Sequence, residues 1–423
     1  MSRSNSPATR LARKLGVGDA VVIGLGAMIG AGIFAALAPA AAAAGSALLV
    51  GLVVASFVAY CNATSSAALA ALYPESGGTY VYGRRRLSPF WGFLAGWGFV
   101  IGKLASCAAM ALTFAAYAAP SFARPLAIVA VIALTAVNYS GISRTVVATR
   151  VIVAVVLACL AVVVFAAVFG GDVDVRRAIP DPAAGAGGIL QAAGFLFFAF
   201  AGYARIATLG EEVIDPARTI PRAIPLALGF TLLVYAAVAL SALVTVDVRE
   251  LANTSAPLVL VVESGRWAAL APAVRFGAAV ASLGVLLSLL AGVSRTAFAM
   301  AANRDLPHFL ASVHARHRVP DHAELAAGAI VASIVLIADV RDAIGFSSFA
   351  VLVYYAIANA SAITLRRDER RWPRALAVAG LAGCALLAFS LPWQSVLGAV
   401  VLLLAGAAVY AMRRQQRSSG AQR

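Results

Sequence analysis

The residues whose types and spacing could do chemistry are few, and most lie inside apolar sequence. Gly24-Leu25-Gly26-Ala27-Met28-Ile29-Gly30-Ala31-Gly32-Ile33-Phe34 sets four glycines in eleven residues. Each glycine weakens a helix by about 1 kcal/mol relative to alanine, so a continuous helix is disfavoured there. Two readings compete. In the first, Gly26 and Gly30 have the small-xxx-small spacing that lets two membrane helices approach closely. In the second, the segment is unwound, and its freed N–H groups face an anionic group from the start of a half-helix. A dinucleotide fingerprint fails, because Ile29 stands where its third glycine would fall and no strand precedes the motif.

Two further sets of residues invite chemistry. Lys103 sits midway along an apolar run and is one of only two lysines in a chain that otherwise chooses arginine. A charge inside a span costs about 2.5 to 3.5 kcal/mol even on lenient insertion scales, so it faces a cavity or a partner unless it snorkels to the interface. Lysine can give up its proton on burial, whereas arginine cannot. Lys103 is therefore a candidate either to carry a coupled proton or to stand in for a bound cation. Arg205, with Glu211 or Glu212 one to two turns on, could close a cytoplasmic gate or form a structural pair at the membrane edge.

The remaining polar groups carry less. Cys61, Cys107, Cys159 and Cys384 lie within apolar runs without pairing or metal spacing, which makes them packing residues. His308, His314, His317 and His322 fit no standard metal site. No nucleophile–base pair or phosphate loop marks an enzyme, and no cofactor is implied.

The elements that must position these residues follow from composition. The chain has 423 residues, 62% hydrophobic and 12% charged, and runs of roughly 20 apolar residues, enough to cross a bilayer, recur along it. Twelve spans are expected. The first five run near Gly16–Pro39, Ser46–Ala68, Phe90–Ala119, Leu126–Asn138 and Thr149–Gly170. Five more run near Ile189–Leu209, Ala223–Val246, Val274–Ala302, Ala323–Ile337 and Ala343–Leu365. The last two are near Leu376–Leu391 and Ser395–Met412. The fourth is the weakest, and its loss would scramble every later loop. No cleaved signal peptide is expected at the basic amino end.

The net charge of +15 lies between the spans, not on one solvated face, which argues against nucleic acid. Assigning alternate loops to opposite sides gives a bias of about three to one in basic residues, which puts both termini in the cytoplasm. The segment Asp247–Arg266 reads as an external interfacial helix. The tail after Met412 reads as a disordered end attracted to anionic lipid. Alanine, valine and arginine richness suggests a GC-rich bacterial source, hence a plasma membrane.

The glycine segment resembles the helix-one signature of the amino acid-polyamine-organocation superfamily. Further tracts match in that family's order. They are Glu75-Ser76-Gly77-Gly78-Thr79-Tyr80, Phe197 to Tyr203 with Glu211 to Ile224, Leu290 to Thr296, and Asn303-Arg304-Asp305-Leu306-Pro307. The resemblance implies an all-α membrane protein with two inverted five-helix repeats, over 16–170 and 189–365. Residues 1–15 would be a cytoplasmic segment, helices eleven and twelve would occupy 376–412, and 413–423 would be a basic tail.

Spans one and six would both be broken at mid-membrane, consistent with Gly194 and Gly202 in the sixth. Carried over by position, a substrate carboxylate would meet backbone near Met28, Ile29, Gly30, Ala31 and Gly32. Its amino group would meet carbonyls near Phe198, Ala199, Ala201 and Gly202, with Phe198 as a lid or, alternatively, a packing residue. Val156 stands where proton-coupled relatives carry a helix-five lysine, so either Lys103 substitutes for it or the protein is an exchanger.

The resulting reading is alternating-access transport of an amino acid, neutral ones favoured because no acidic residue is placed to face the site. The rivals are a polyamine or other organic-amine carrier on the same fold and a transport-inactive membrane sensor. A channel lacks the required rings of carbonyls or charges. The partners implied are a small-molecule substrate and membrane lipid, with a homo-oligomer left open.

Overall fold

The computed structural model describes residues 15–30, 32–74, 77–141, 146–170, 173–207 and 213–420. Of the residues singled out above, Ala31, Glu211 and Glu212 lie outside this set. The described chain is almost entirely helical, as bilayer-spanning backbone must be when every N–H and C=O needs an internal partner.

The helices, in order, are α1 (Val17–Met28), α2 (Gly32–Ala44), α3 (Leu48–Leu72), α4 (Thr79–Arg86), α5 (Pro89–Ala118), α6 (Ala123–Tyr139) and α7 (Val146–Gly170). They continue as α8 (Gly185–Phe200), α9 (Ala204–Ala207), α10 (Pro216–Thr245), α11 (Val248–Asn253), α12 (Pro257–Glu263) and α13 (Ala271–Ala302). The set closes with α14 (Asp321–Ile337), α15 (Val340–Ile363), α16 (Arg374–Ser390) and α17 (Trp393–Gly420).

Nine helical stretches among the described residues are long and apolar enough to cross a membrane, with α1 and α16 as shorter apolar helices. One of the nine, Gly32–Leu72, contains both α2 and α3. It turns at Gly45, whose φ of +55° is a left-handed conformation natural to glycine. The first apolar run therefore reaches Ala44, five residues past the sequence boundary at Pro39, because Pro39 is accommodated inside α2.

α5 is the central post. It packs along α13 and α15, and 22 of its 30 residues are buried. Small residues permit this closeness: a Cβ on Gly102 would lie 2.9 Å from the Ala350 methyl of α15. α17, by contrast, shows lipid an apolar face that includes Leu397, Val401 and Leu404.

Two sequence expectations change. The tail after Met412 is not a disordered end, since α17 continues to Gly420. Met412-Arg413-Arg414-Gln415-Gln416-Arg417 is made of good helix formers with no breaker before Gly420, so the helix has no local reason to stop. The segment Asp247–Arg266, expected as an interfacial helix, is helical as α11 and α12, but the apolar side of α12 packs into the protein. Leu258, Val259, Val261 and Val262 are buried, and the Leu258 N–H donates to the Tyr117 hydroxyl at 3.3 Å.

Two signature tracts that are distant in sequence meet in space. Gly77 and Gly78, at φ +123° and +54°, turn the chain into α4. From α4, Arg84 reaches Asp305 at the exit of α13 (2.6 Å), and the Tyr80 hydroxyl donates to the same carboxylate at 2.8 Å. Next to it Arg86 pairs with Glu369 at 2.6 Å, and that hydrogen bond holds the Glu369 carboxyl below the usual glutamate range. The connection after α15 is thereby tied to α4.

All four cysteines are free and buried, between 0% and 6% exposed. A membrane-impermeant maleimide is expected to leave the native protein in intact membranes unlabelled and to modify it after detergent denaturation. Stoichiometric labelling of the native form would contradict this packing.

Candidate functional site

Both glycine-interrupted spans are broken. α1 ends at Met28, Ile29 and Gly30 leave helical geometry, and α2 starts at Gly32. α8 ends at Phe200 and tightens into a 3-10 turn over Ala201–Tyr203 before the short α9. The sequence left packing and unwinding open for the first of these, and the structure contains both.

The breaks are pressed against one another through glycine. A Cβ on Gly202 would sit 2.2 Å from the Ala27 carbonyl oxygen and 2.8 Å from the Met28 nitrogen. A Cβ on Gly32 would sit 2.7 Å from the Ala199 Cα. Each break thus contributes a glycine that seats on the backbone of the other, and backbone cannot swing aside as a flexible side chain can.

Tyr235 of α10 holds the same junction. Its hydroxyl is 2.5 Å from the Met28 carbonyl oxygen and 3.0 Å from that of Ala199, a single O–H donor between the ends of two helices. Tyr355 of α15 donates to the Ala201 carbonyl at 3.0 Å, and its ring stands beside that of Tyr203 with centroids 4.9 Å apart. Two of the carbonyls expected to meet an amino group, those of Ala199 and Ala201, are therefore already hydrogen-bonded by tyrosine. Met28 and Ile29 are buried, as are Gly30, Gly32, Ala199 and Ala201, while Phe198 and Gly202 are half-buried.

On the far side of the break, a cleft lined by Leu25, Gly26, Ile29, Gly30, Thr149, Val156, Ala281 and Val285 separates α1 from α7 and α13. Its volume of about 10 Å³ accommodates a water at most. Val156 is part of this lining, next to the first-span break, and Lys103 is not.

Lys103 lies in the middle of α5 at 9% exposure, one turn before buried Cys107. No hydrogen bond or ion pair to its ammonium occurs among the described residues. Arg205 is exposed on α9, and its two expected acidic partners are outside the described residues. On the same part of the chain, the segment before α1 pairs with that before α10, with the Ile214 N–H donating to the Leu15 carbonyl at 2.9 Å. Arg150 of α7 pairs with Asp19 of α1.

Sequence reasoning missed the tyrosines and one carboxylate. Tyr117, Tyr203, Tyr235 and Tyr355 are wholly buried, and a tyrosine in an apolar run carries a hydroxyl that must find a partner. That signal was present and unused. Glu324, at 2% exposure in the first turn of α14, is a buried carboxylate inside the expected span Ala323–Ile337, to which the sequence assigns no role. Its electrostatic neighbours are Asn138 of α6, Ser294 and Arg295 of α13, and Cys107 of α5.

Nine helical stretches long and apolar enough to cross a membrane among the described residues, with two buried breaks in contact, are the architecture of a multi-pass membrane protein. The family is established by comparison: the amino acid permease model matches residues 19–422, and the chain belongs to that family. It is 61% identical over 406 residues to an uncharacterised transporter of Mycobacterium tuberculosis, covering 96% of this chain and 92% of the relative. It is 28% identical over 445 residues to the branched-chain amino acid permease of Bacillus subtilis, covering 96% and 94%. Cationic amino acid transporter 4 of Homo sapiens is 28% identical over 396 residues, covering 86% of this chain and 61% of that one.

The junction predicts a graded mutant series. Gly202→Ala should lower thermal stability in detergent and abolish transport, whereas Gly229→Ala, with open space at its Cβ, should be neutral or slightly stabilising. Tyr235→Phe leaves two carbonyls without their donor and should cost about 1 to 3 kcal/mol. Wild-type melting in both Gly202→Ala and Tyr235→Phe would contradict the contact.

Proposed function

We propose that this protein is a secondary active transporter that moves a neutral amino acid across the plasma membrane by alternating access. The observation that carries the reading is the reciprocal seating of Gly32 on Ala199 and of Gly202 on Ala27 and Met28, with Tyr235 bridging the two breaks. The substrate carboxylate would meet the first-turn N–H groups of α2, which have no intrahelical acceptors. Its amino group would approach the Phe198, Ala199 and Ala201 carbonyls, displacing or sharing the donors they now hold, and Phe198 would cover it. In this reading 16–170 and 189–365 form the two repeats, twelve spans cross the bilayer, and both termini are cytoplasmic.

An apolar surround favours a neutral side chain. Ile29 and Phe198 flank the breaks, and a Cβ on Gly30 would strike the Val285 methyl at 2.1 Å. A branched-chain amino acid permease among the relatives agrees with this preference. Lys103 carries the coupled proton or a fixed positive charge, so transport is proton-driven or an exchange. Arg205 with Glu211 or Glu212 closes the cytoplasmic side.

Reconstituted protein should take up or exchange labelled leucine, valine or isoleucine in preference to putrescine or agmatine. Lys103→Ala and Lys103→Arg should both lose at least tenfold in concentrative uptake driven by a pH gradient. Counterflow exchange should survive Lys103→Ala. Unchanged uptake in both variants would remove Lys103 from the mechanism, and uptake of amines alone would favour the organic-amine carrier. Absence of any flux in the wild type would favour the sensor.

A further inference from the structure

Where the start of α5, the exit of α13 and the end of α17 come together, a cavity of about 320 Å³ opens among Ser88, Pro89, Phe90, Arg304, Asp305, Tyr410, Arg413 and Arg414. Its acidic member is already neutralised, since the Asp305 carboxylate takes Arg84 at 2.6 Å and the Tyr80 hydroxyl at 2.8 Å. Three further guanidinium groups line the same space, and one of them, Arg413, donates to the Arg304 carbonyl at 3.4 Å. Three like charges side by side at the mouth of one cavity concentrate positive potential there, which attracts an anion. The thirty-residue α5 also begins here, and Ser88 makes no side-chain cap, so the helix's first N–H groups add to the positive potential.

The conformation of Arg304 is an independent sign. It follows the end of α13 with φ +59°, the left-handed position that glycine ordinarily fills at a helix terminus. Its N–H bonds to the Ala301 carbonyl and that of Asp305 to the Met300 carbonyl, which closes the helix end. In a chain with 36 glycines, an arginine at the strained position indicates that its side chain has a use.

The surroundings identify the anion's source. α17 presents exposed Leu397, Val401, Leu404 and Met412 to lipid, and these lie along the helix that delivers Arg413 and Arg414. Trp91, 44% exposed at the start of α5, adjoins Phe90, whose ring packs on Tyr410 at 5.5 Å. Exposed tryptophan beside arginine is the chemistry of the headgroup level. α17 is fixed in this place by the Trp97 N–H donating to the Leu402 carbonyl at 2.8 Å and by Gly406 seated against the Trp97 ring.

We propose that this cavity is a binding site for the phosphate headgroup of an anionic phospholipid, whose acyl chains lie along the exposed face of α17. The site joins α17 to the α5–α13 scaffold, so occupancy stiffens the attachment of α17 and leaves the substrate junction untouched.

The test uses full-length protein, delipidated in detergent, with melting followed as lipid is added. Phosphatidylglycerol or cardiolipin is expected to raise the melting temperature, and phosphatidylcholine and inorganic phosphate are expected to leave it unchanged at equal ionic strength. Arg304→Gly combined with Arg413→Gln and Arg414→Gln should lose most of the shift. A control pair outside the cavity lining, Arg367→Gln with Arg371→Gln, should keep it. Because Arg304→Gly relieves a left-handed arginine, that single variant should melt no lower than wild type without lipid, which separates lost binding from misfolding. An equal shift with phosphatidylcholine, an undiminished shift in the triple variant or an equal loss in the control pair would overturn the proposal. The same shift with inorganic phosphate would reassign the cavity to a soluble anion.

Discussion

Breaking a helix inside a bilayer strands backbone groups where no water can reach them, and the fold is organised around satisfying them. At the crossing of the first and sixth spans, Tyr235 supplies the O–H for carbonyls from both sides, and Tyr355 serves the third, on Ala201. The donors come from α10 and α15, so the junction draws on helices well outside the two broken spans. The glycines set the distance that makes this possible, since any side chain at position 32 or 202 would meet backbone. Backbone–backbone contact of this kind has few intermediate arrangements. A motion of one span must be met by the other or must separate them, a geometry suited to switching between two states.

Around the junction the chain divides into a stiff part and a tethered part. α5, α13 and α15 pack closely through glycine and alanine and bury most of α5. Ion pairs then fasten the loop elements: Arg84 to Asp305, Arg86 to Glu369, and Arg150 to Asp19. The first two join connections to the scaffold. The third joins the start of α1 to the start of α7, and it is exposed enough that solvent screening leaves it weak and easily opened. Lys103 of α5 and Glu324 of α14 are both in the electrostatic neighbourhood of buried Cys107 of α5.

Much of this architecture was legible from apolar run length alone, because the bilayer imposes a minimum of roughly 20 residues that loops cannot imitate. The glycine segments marked where both breaks fall, but their spacing fits close packing as well as unwinding, and only the family resemblance pointed to breaks. What they could not announce was contact: Gly202 needs its missing Cβ because of Ala27, a residue 175 positions away, and no local pattern encodes that neighbour. The buried tyrosines were equally silent, since an O–H inside an apolar run signals a need for a partner without naming one. Two errors came from local rules applied too far. Pro39 does not bound its helix, because membrane helices tolerate proline, and the basic tail stays helical because its residues favour helix.

If the protein works as proposed, substrate binds at the crossing of the two breaks. A cysteine placed at Phe198, in a chain whose own cysteines are buried, reports on it directly through the rate of maleimide labelling in proteoliposomes. A saturating transported amino acid should slow labelling at position 198 at least severalfold, and an amine lacking a carboxylate should not. Identical labelling rates with and without a demonstrably transported amino acid would place the substrate elsewhere.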